Sequence, residues 1–482
     1  MTSLRSLSRA SLLASLPLIL SACFSGPRKA DLGAIYNDAA QGIGAERTPV
    51  VVLPGILGSK LEDPASGRLV WGAFIRGAVD ADYPEGARIV ALPMEEGVSL
   101  SQLNDNVRAT GVLDSLEVDL ALIARLRVGA YVDILRTLAA GKYRDRDLAR
   151  GAGIEYNNVH TTCFQFPYDW RHGCSDQAIL LHERIKAASK AAVEARGLPA
   201  GSTVKLDVLA HSMGGLVLRY YLRYGPTPLP EDGSLPPLTW EGAKLIRRAV
   251  FIGTPNGGST DSMTSLTQGL APGVFAPNYR SPILGTMPSI YQLIPRTRHG
   301  RFVDAETREP IDLFDVATWQ HYGWGLADPG EMKVLRWLLP DAETDEDRKR
   351  IALDHLAKCL ARAEQFHRAI DVPATPPPGL EMDLFAGDAI PTPNIVGVTK
   401  KGKLKVLEKA PGDNTVTRAS ALMDERVGSE WRPRLDSPVE WDRIQFLAED
   451  HLGLTKSTEF SDNLLFLLLE SPLRDTVEAE AL

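Results

Sequence analysis

Ser212 stands in the run Ala210-His211-Ser212-Met213-Gly214-Gly215, after the strand-like stretch 204–209 and before the helical pattern 216–221. A serine at a sharp strand-to-helix turn projects its hydroxyl from the end of a sheet, where it attacks a carbonyl carbon once a base takes its proton. Such a turn forces the serine to positive φ, and small neighbours let helix and strand close up behind it. Gly214 and Gly215 supply that room, and Ala210 replaces the usual leading glycine with one extra methyl group.

The proton acceptor for such a serine is a histidine, and a carboxylate must hold the imidazole in the right tautomer. Hydrolases built on this turn place the residues in the order serine, acid, histidine. Five of the nine histidines follow Ser212: His299, His321, His355, His367 and His451. His451 precedes the final apolar helical stretch 464–469 and lies after every expected strand. The other four fall inside a long interruption of the pattern and read as surface or satisfied side chains. His211 is expected to point away from the reacting face. Asp388 and Asp413 compete for the acid role, because each follows a strand-like run, and each also reads as a turn-capping aspartate. The developing oxyanion needs two backbone donors. Met213 N–H is the first, and Ile56 N–H, ahead of Leu57 N–H, is the second, since Gly55 and Gly58 let that loop turn its amides inward.

The elements that must carry these residues follow one plan. Residues 48–54, 160–166, 203–209, 246–252 and 381–386 are β-branched or apolar runs that end abruptly in turns, and helical patterns lie between them, including 131–138, 179–195 and 216–224. Alternation of this kind predicts an α/β fold, a mostly parallel sheet with helices on both faces. Two stretches, 60–130 and 256–378, break the alternation and read as insertions at strand ends, a possible membrane-binding or lid segment and a cap.

Six runs then coincide in order: Pro54-Gly55-Ile56-Leu57-Gly58-Ser59, Phe166-Pro167-Tyr168-Asp169-Trp170-Arg171, the Ser212 run, Gly253-Thr254-Pro255-Asn256-Gly257-Gly258, Pro288-Ser289-Ile290-Tyr291-Gln292-Leu293-Ile294-Pro295, and Gly412-Asp413-Asn414-Thr415-Val416. Together they resemble the lecithin:cholesterol acyltransferase family, which includes lysosomal phospholipase A2 and plant phospholipid:diacylglycerol acyltransferases, over about residues 48–455. The resemblance implies an α/β-hydrolase core over residues 48–482 with the two insertions, working through an acyl-serine on Ser212. It assigns the acid to Asp413 and leaves Asp388 as runner-up. Asn414 stands where the family has glycine, a mild change because asparagine tolerates left-handed backbone. His451 matches the family's late histidine. Asp169-Trp170-Arg171 would help build the substrate entrance, with Asp169 and Arg171 equally readable as an ion pair. Residues 60–130 lack the family's lid cysteines; there Trp71, Phe74 and Tyr83 are candidate interface anchors or parts of the insertion's own core.

The rest of the chain sets the surroundings. With 53 Lys plus Arg against 61 Asp plus Glu, the net charge of −8 offers no field for nucleic acid. Arg5 and Arg9, the apolar stretch 11–20 and Leu20-Ser21-Ala22-Cys23 resemble a bacterial lipoprotein signal and its lipobox. Residues 1–22 would be removed, Cys23 would carry the lipid, and 23–47 would be a tether. Phe24, not aspartate, follows the anchor, which favours the outer membrane. Cys163 and Cys174 allow a disulfide or two buried thiols, and Cys359 reads as packing. No Cys/His spacing suggests a metal, and no cofactor is expected. The expected activity is that of a membrane-anchored serine acyl hydrolase of lipase or phospholipase A type, or an O-acyltransferase if an alcohol replaces water. The alternatives are a non-lipid esterase, amidase or polyester depolymerase, or a catalytically silent envelope-binding scaffold.

Overall fold

The computed structural model describes residues 47–471, apart from 75–77, 104, 114, 121–123, 130–131, 146, 148–160, 272–276 and 427–430. The expected leader, Cys23 and nearly all of the tether lie outside the described residues.

Strand β1 (Val50–Leu53) is four apolar residues with no exposed surface. Val50 and Val52 join one apolar cluster and Val51 and Leu53 another, so successive side chains enter cores on opposite faces of the sheet. The chain then leaves the sheet as β2 (Ser59–Asp63), β3 (Arg68–Trp71), β4 (Ala73–Phe74), β5 (Arg108–Val112), β6 (Ser115–Leu120) and β7 (Ala124–Gly129). These strands form two small sheets, ordered β3-β2-β5 and β4-β6-β7. Helix α1 (Val132–Ala140) leads back to β8 (Cys163–Gln165), followed by α2 (Cys174–Ala195), β9 (Leu206–His211), α3 (Met213–Tyr224) and β10 (Ile246–Ile252).

The second excursion contains α4 (Asp261–Gln268), β11 (Arg301–Asp304) and the long α5 (Asp345–Asp371). Thr344 and Asp347 cap the start of α5 reciprocally, each side chain bonded to the other's backbone N–H. The chain re-enters the sheet as β12 (Glu381–Gly387), leaves as the hairpin β13 (Ile390–Val398) and β14 (Leu404–Gly412), returns as β15 (Arg443–Leu447), and ends in α6 (Thr458–Leu469).

The central sheet has the order β15-β12-β10-β9-β1-β8, and every neighbouring pair is parallel. Residues of α2 and α3, such as Leu181, Ile185, Leu216 and Val217, fill the core on one face. Ile134, Leu135 and Leu138 of α1, with Phe460, Leu464 and Leu467 of α6, fill the other. The expected α/β layering is therefore present. Strand β15 was not among the expected strands. Its residues Arg443 and Gln445 are polar, and its burial is only partial, as suits the edge of a sheet.

The β13–β14 hairpin is not an independent flap. β11 pairs with β13 through four residues of each strand, from Arg301 opposite Ile395 to Asp304 opposite Val398. At the hairpin's far turn, Trp324 Nε1–H donates to Gly402 O at 2.8 Å.

Candidate active site

Ser212 occupies the turn between β9 and α3 with φ 52° and ψ −126°. A side-chain-bearing residue holds that backbone only where its surroundings over-determine it. Here Ser212 N–H donates to Ile252 O at 2.8 Å, tying the turn to β10. A Cβ on Gly214 would lie 2.4 Å from Pro54 O, and one on Gly215 would lie 2.0 Å from Thr254 Oγ1. Both glycines are thus required by close approach, and the first shows that the turn after β1 abuts the start of α3.

His451 lies in the loop between β15 and α6. Its Nε2 is 2.9 Å from Ser212 Oγ, and its Nδ1 is 2.8 Å from Asp413 Oδ2. With a carboxylate at Nδ1, that nitrogen carries the proton, which leaves Nε2 to accept from the serine hydroxyl. The other oxygen of Asp413 accepts from Thr415 N at 3.0 Å and Val416 N at 2.6 Å, and His451 N–H donates to Asp413 O at 2.9 Å. The aspartate is 1% exposed. Asp413 is therefore fixed by three backbone amides while one carboxylate oxygen stays on the imidazole.

Asp413 does not follow a strand of the central sheet. The β13–β14 hairpin leaves beyond β12 and returns, so that Asp413 forms an isolated bridge with Ile390 and packs on Gly387 at the end of β12. Asp388, one residue past that strand, is half-buried and forms no part of the Ser212–His451–Asp413 chain of hydrogen bonds.

His211 departs from expectation. Its side chain does not point away but packs on His451, with ring centroids 5.1 Å apart and Nε2–H donating to His451 O at 3.2 Å. The loop carrying His451 closes across the end of β9, so the last strand residue meets it. Burial pushes His211 down to about 3, which keeps it neutral. His299, His355 and His367 are buried, and each faces a backbone carbonyl through Nε2, of Asp424, Thr286 and Gln292 respectively. His321 is exposed. His321 at the surface and the hydrogen-bonded His367 fit the reading, whereas His299 and His355 each keep a buried Nδ1 without a hydrogen-bond partner among the described residues.

Met213 is the first residue of α3, where amides have no acceptor within the helix. Ile56 and Leu57 line the same cavity as Ser212 and His451. This cavity, of about 430 Å³, is a largely apolar slot whose walls include Leu113, Trp170, Leu284, Ile290 and Leu293. Ser259, Thr415 and residues Asp261, Ser262 and Ser265 of α4 add polar groups to its lining. Asp261 was not singled out in the sequence, where it reads as an acidic residue in a helix's first turn; burial raises its carboxyl above the usual value. An apolar slot beside an imidazole-bonded serine suits an acyl chain attached to an electrophilic carbonyl.

Asp169 and Arg171 form an ion pair, with Arg171 Nη2 2.6 Å from Asp169 Oδ2 and Nη1 2.8 Å from Asp105. Burial alone would raise Asp169, but Arg171 outweighs it and holds the carboxyl below its usual range. Trp170, between them, lines the slot. Among the described residues, Asp105, Asp169 and His172 form the one group of three or more such side chains whose ligand atoms lie within 4.8 Å of one another, and the guanidinium of Arg171 already supplies the positive charge there. Cys163, Cys174 and Cys359 are buried free thiols. Of the candidate interface anchors, Tyr83 is 65% exposed, whereas Trp71 is buried.

Sheet order, helix layers and the strained serine turn are those of the α/β-hydrolase fold. Residues 147–313, which include the Ser212 turn, match the family model of lecithin:cholesterol acyltransferase. Fold and matched model together indicate the class of acyl-ester hydrolases and acyltransferases. Among solved structures, a chain of the Tle4–Tli4 complex is similar, with 13% identity and a TM-score of 0.53 over 88% of this chain and 98% of that one. Bacillus licheniformis lipase BlEst2 in its mature form gives 10% identity and a TM-score of 0.31 over 88% of this chain and 92% of that one. No curated protein matches.

Proposed function

We propose that the protein is a serine acyl hydrolase of lipid esters, held at a bacterial membrane by a lipid on Cys23. Ser212 Oγ attacks the ester carbonyl while His451 Nε2 takes its proton, and Asp413 keeps the imidazole oriented and stabilises its charge. The amides of Met213 and Ile56 receive the oxyanion. His451 returns the proton to the departing alcohol, leaving an acyl-serine. Water, activated by the same imidazole, releases the fatty acid; an alcohol in its place would make the enzyme an O-acyltransferase. Acyl-chain selectivity comes from the apolar slot. The observation that carries this reading is the unbroken hydrogen-bond chain from Ser212 Oγ through both nitrogens of His451 to Asp413.

A fluorophosphonate probe and a product assay test it. Wild-type protein should label and should release fatty acid from phospholipid vesicles, and Ser212→Ala should do neither. Absence of labelling in wild-type protein would leave the scaffold reading instead. Mass spectrometry with mixed phospholipid and sterol vesicles separates water from alcohol as acceptor, since free fatty acid as the sole product excludes transfer. Labelling by a palmitate analogue, and its loss in Cys23→Ser, tests the anchor, and co-fractionation with outer rather than inner membranes tests the outer-membrane location.

A further inference from the structure

The turn after β1 is held at nearly every carbonyl. Gly58 N–H donates to Gly55 O at 3.1 Å and closes a four-residue turn, with Leu57 in its third position at φ 62°. A positive φ there, with none at Ile56, is the type II form, which normally takes glycine or asparagine at that place. Leucine in left-handed backbone is strained and needs an outside hold. Tyr168 Oη–H donates to Pro54 O at 2.9 Å, and Leu113 N–H donates to Gly58 O at 2.8 Å. The strained residue itself is held by Trp71, whose Nε1–H donates to Leu57 O at 2.7 Å.

Trp71 is placed firmly enough to do this. It ends β3, it is 4% exposed, and its ring meets Trp170 and Tyr279 edge-on at centroid distances of 5.6 and 5.5 Å. Without the bond, the left-handed Leu57 loses its direct side-chain hold and the turn is free to shift where Ile56 and Leu57 line the slot. Resting on the reading of Ser212 as nucleophile, we propose that Trp71 is a positioning residue for the oxyanion donors: its indole N–H anchors the Leu57 carbonyl and so holds the Gly55–Gly58 turn, with its Ile56 amide, in place for the tetrahedral intermediate. The 60–130 insertion thereby completes the site from outside the central sheet.

An interaction realised only in the transition state lowers kcat and leaves KM nearly unchanged when it is lost. Trp71→Phe keeps an aromatic ring and deletes the donor. With a p-nitrophenyl ester as substrate, kcat should fall about 10- to 100-fold with KM within about twofold. Affinity for an alkyl trifluoromethyl ketone, which forms a tetrahedral adduct on the serine, should fall by the same factor. If Trp71→Phe unfolds, replacement of Trp71 by 3-benzothienylalanine preserves the bicyclic shape and swaps N–H for sulfur; it should show the same kcat loss with the wild-type melting temperature. Unchanged kcat, or a loss confined to KM, in a folded variant overturns the role of Trp71 while leaving Ser212 untouched. A wild-type protein that neither turns over nor binds the ketone overturns the nucleophile reading, and this role with it.

Discussion

Gly387 and Asp413 touch across the root of the β13–β14 hairpin: a Cβ added to Gly387 would lie 2.5 Å from Asp413 Cβ and 3.2 Å from its Cα. The end of β12 therefore leaves space for the acid and nothing larger. Gly387→Ala should displace Asp413 without touching substrate. Because misplacing a catalytic group by about 1 Å costs roughly 100-fold, kcat should drop by that order while KM holds. A near-normal kcat from a steady-state assay would show that the acid's position tolerates the push.

Asp413→Asn should keep the shape but lose the charge that fixes the His451 tautomer. The expected fall in kcat is about 10³- to 10⁴-fold, with Asp388→Asn retaining most activity. The reverse pattern in the same assay would transfer the acid role to Asp388.

These two aspartates show where the sequence was legible and where it was not. Five of the six central strands, the serine turn and His451 could be read locally, from runs of β-branched residues, from small residues around Ser212 and from the last apolar helix. The choice of acid could not, because a hairpin between β12 and Asp413 removes the link between distance along the chain and distance from the sheet. Only the resemblance of the 412–416 run favoured Asp413. His211 misled for a similar reason: strand alternation says which way a residue points, but not that a loop some 240 positions later closes over it. The indole bond of Trp71 to Leu57 left no periodic trace either.

His211→Ala removes both the ring under His451 and the hydrogen bond to its carbonyl. A hydrogen bond of this kind is worth about 1 kcal/mol, and the lost ring leaves a cavity beside the base. The expected outcome is a lower melting temperature together with about tenfold lower kcat. His211→Gln, which can keep a donor, should recover part of both. Equal activity in all three proteins would argue that His451 needs no such support.

Stability should fall on acidification before the carboxylates titrate. Burial lowers His211 and His367 to about 3 and His299 and His355 to about 4, from an ordinary value of 6.5. The unfolded chain therefore binds protons that the native chain refuses, so these groups cost nothing above pH 6.5 and destabilise progressively below it, His299 and His355 down to about pH 4 and His211 and His367 down to about pH 3. Asp383, pushed up to about 6 by burial, opposes them, as do Asp176 and Asp261, whose carboxyls burial also raises. Each net proton contributes about 1.4 kcal/mol per pH unit. Urea unfolding at pH 7.5 and 5.0 should show this slope, and His355→Gln should reduce it by about one proton. A midpoint insensitive to pH over that range would contradict the buried neutral assignment.

Leu284 lines the slot and is buried. Leu284→Phe should shorten the acyl chains accepted, lowering kcat/KM for long p-nitrophenyl esters while sparing acetate, since each excluded methylene is worth about 1 kcal/mol or more. A uniform loss across chain lengths would mean that Leu284 lies off the acyl path.

The 256–378 excursion cannot swing open as a separate gate on the side where β11 lies. Its strand shares a ladder with the ribbon whose root is Asp413, and its Trp324 grips that ribbon's tip at Gly402. A hinge there would have to unzip four paired residues or drag the ribbon along, and dragging it would pull the carboxylate off the imidazole. Access for a bulky ester must come from the side of the slot that this strap does not hold.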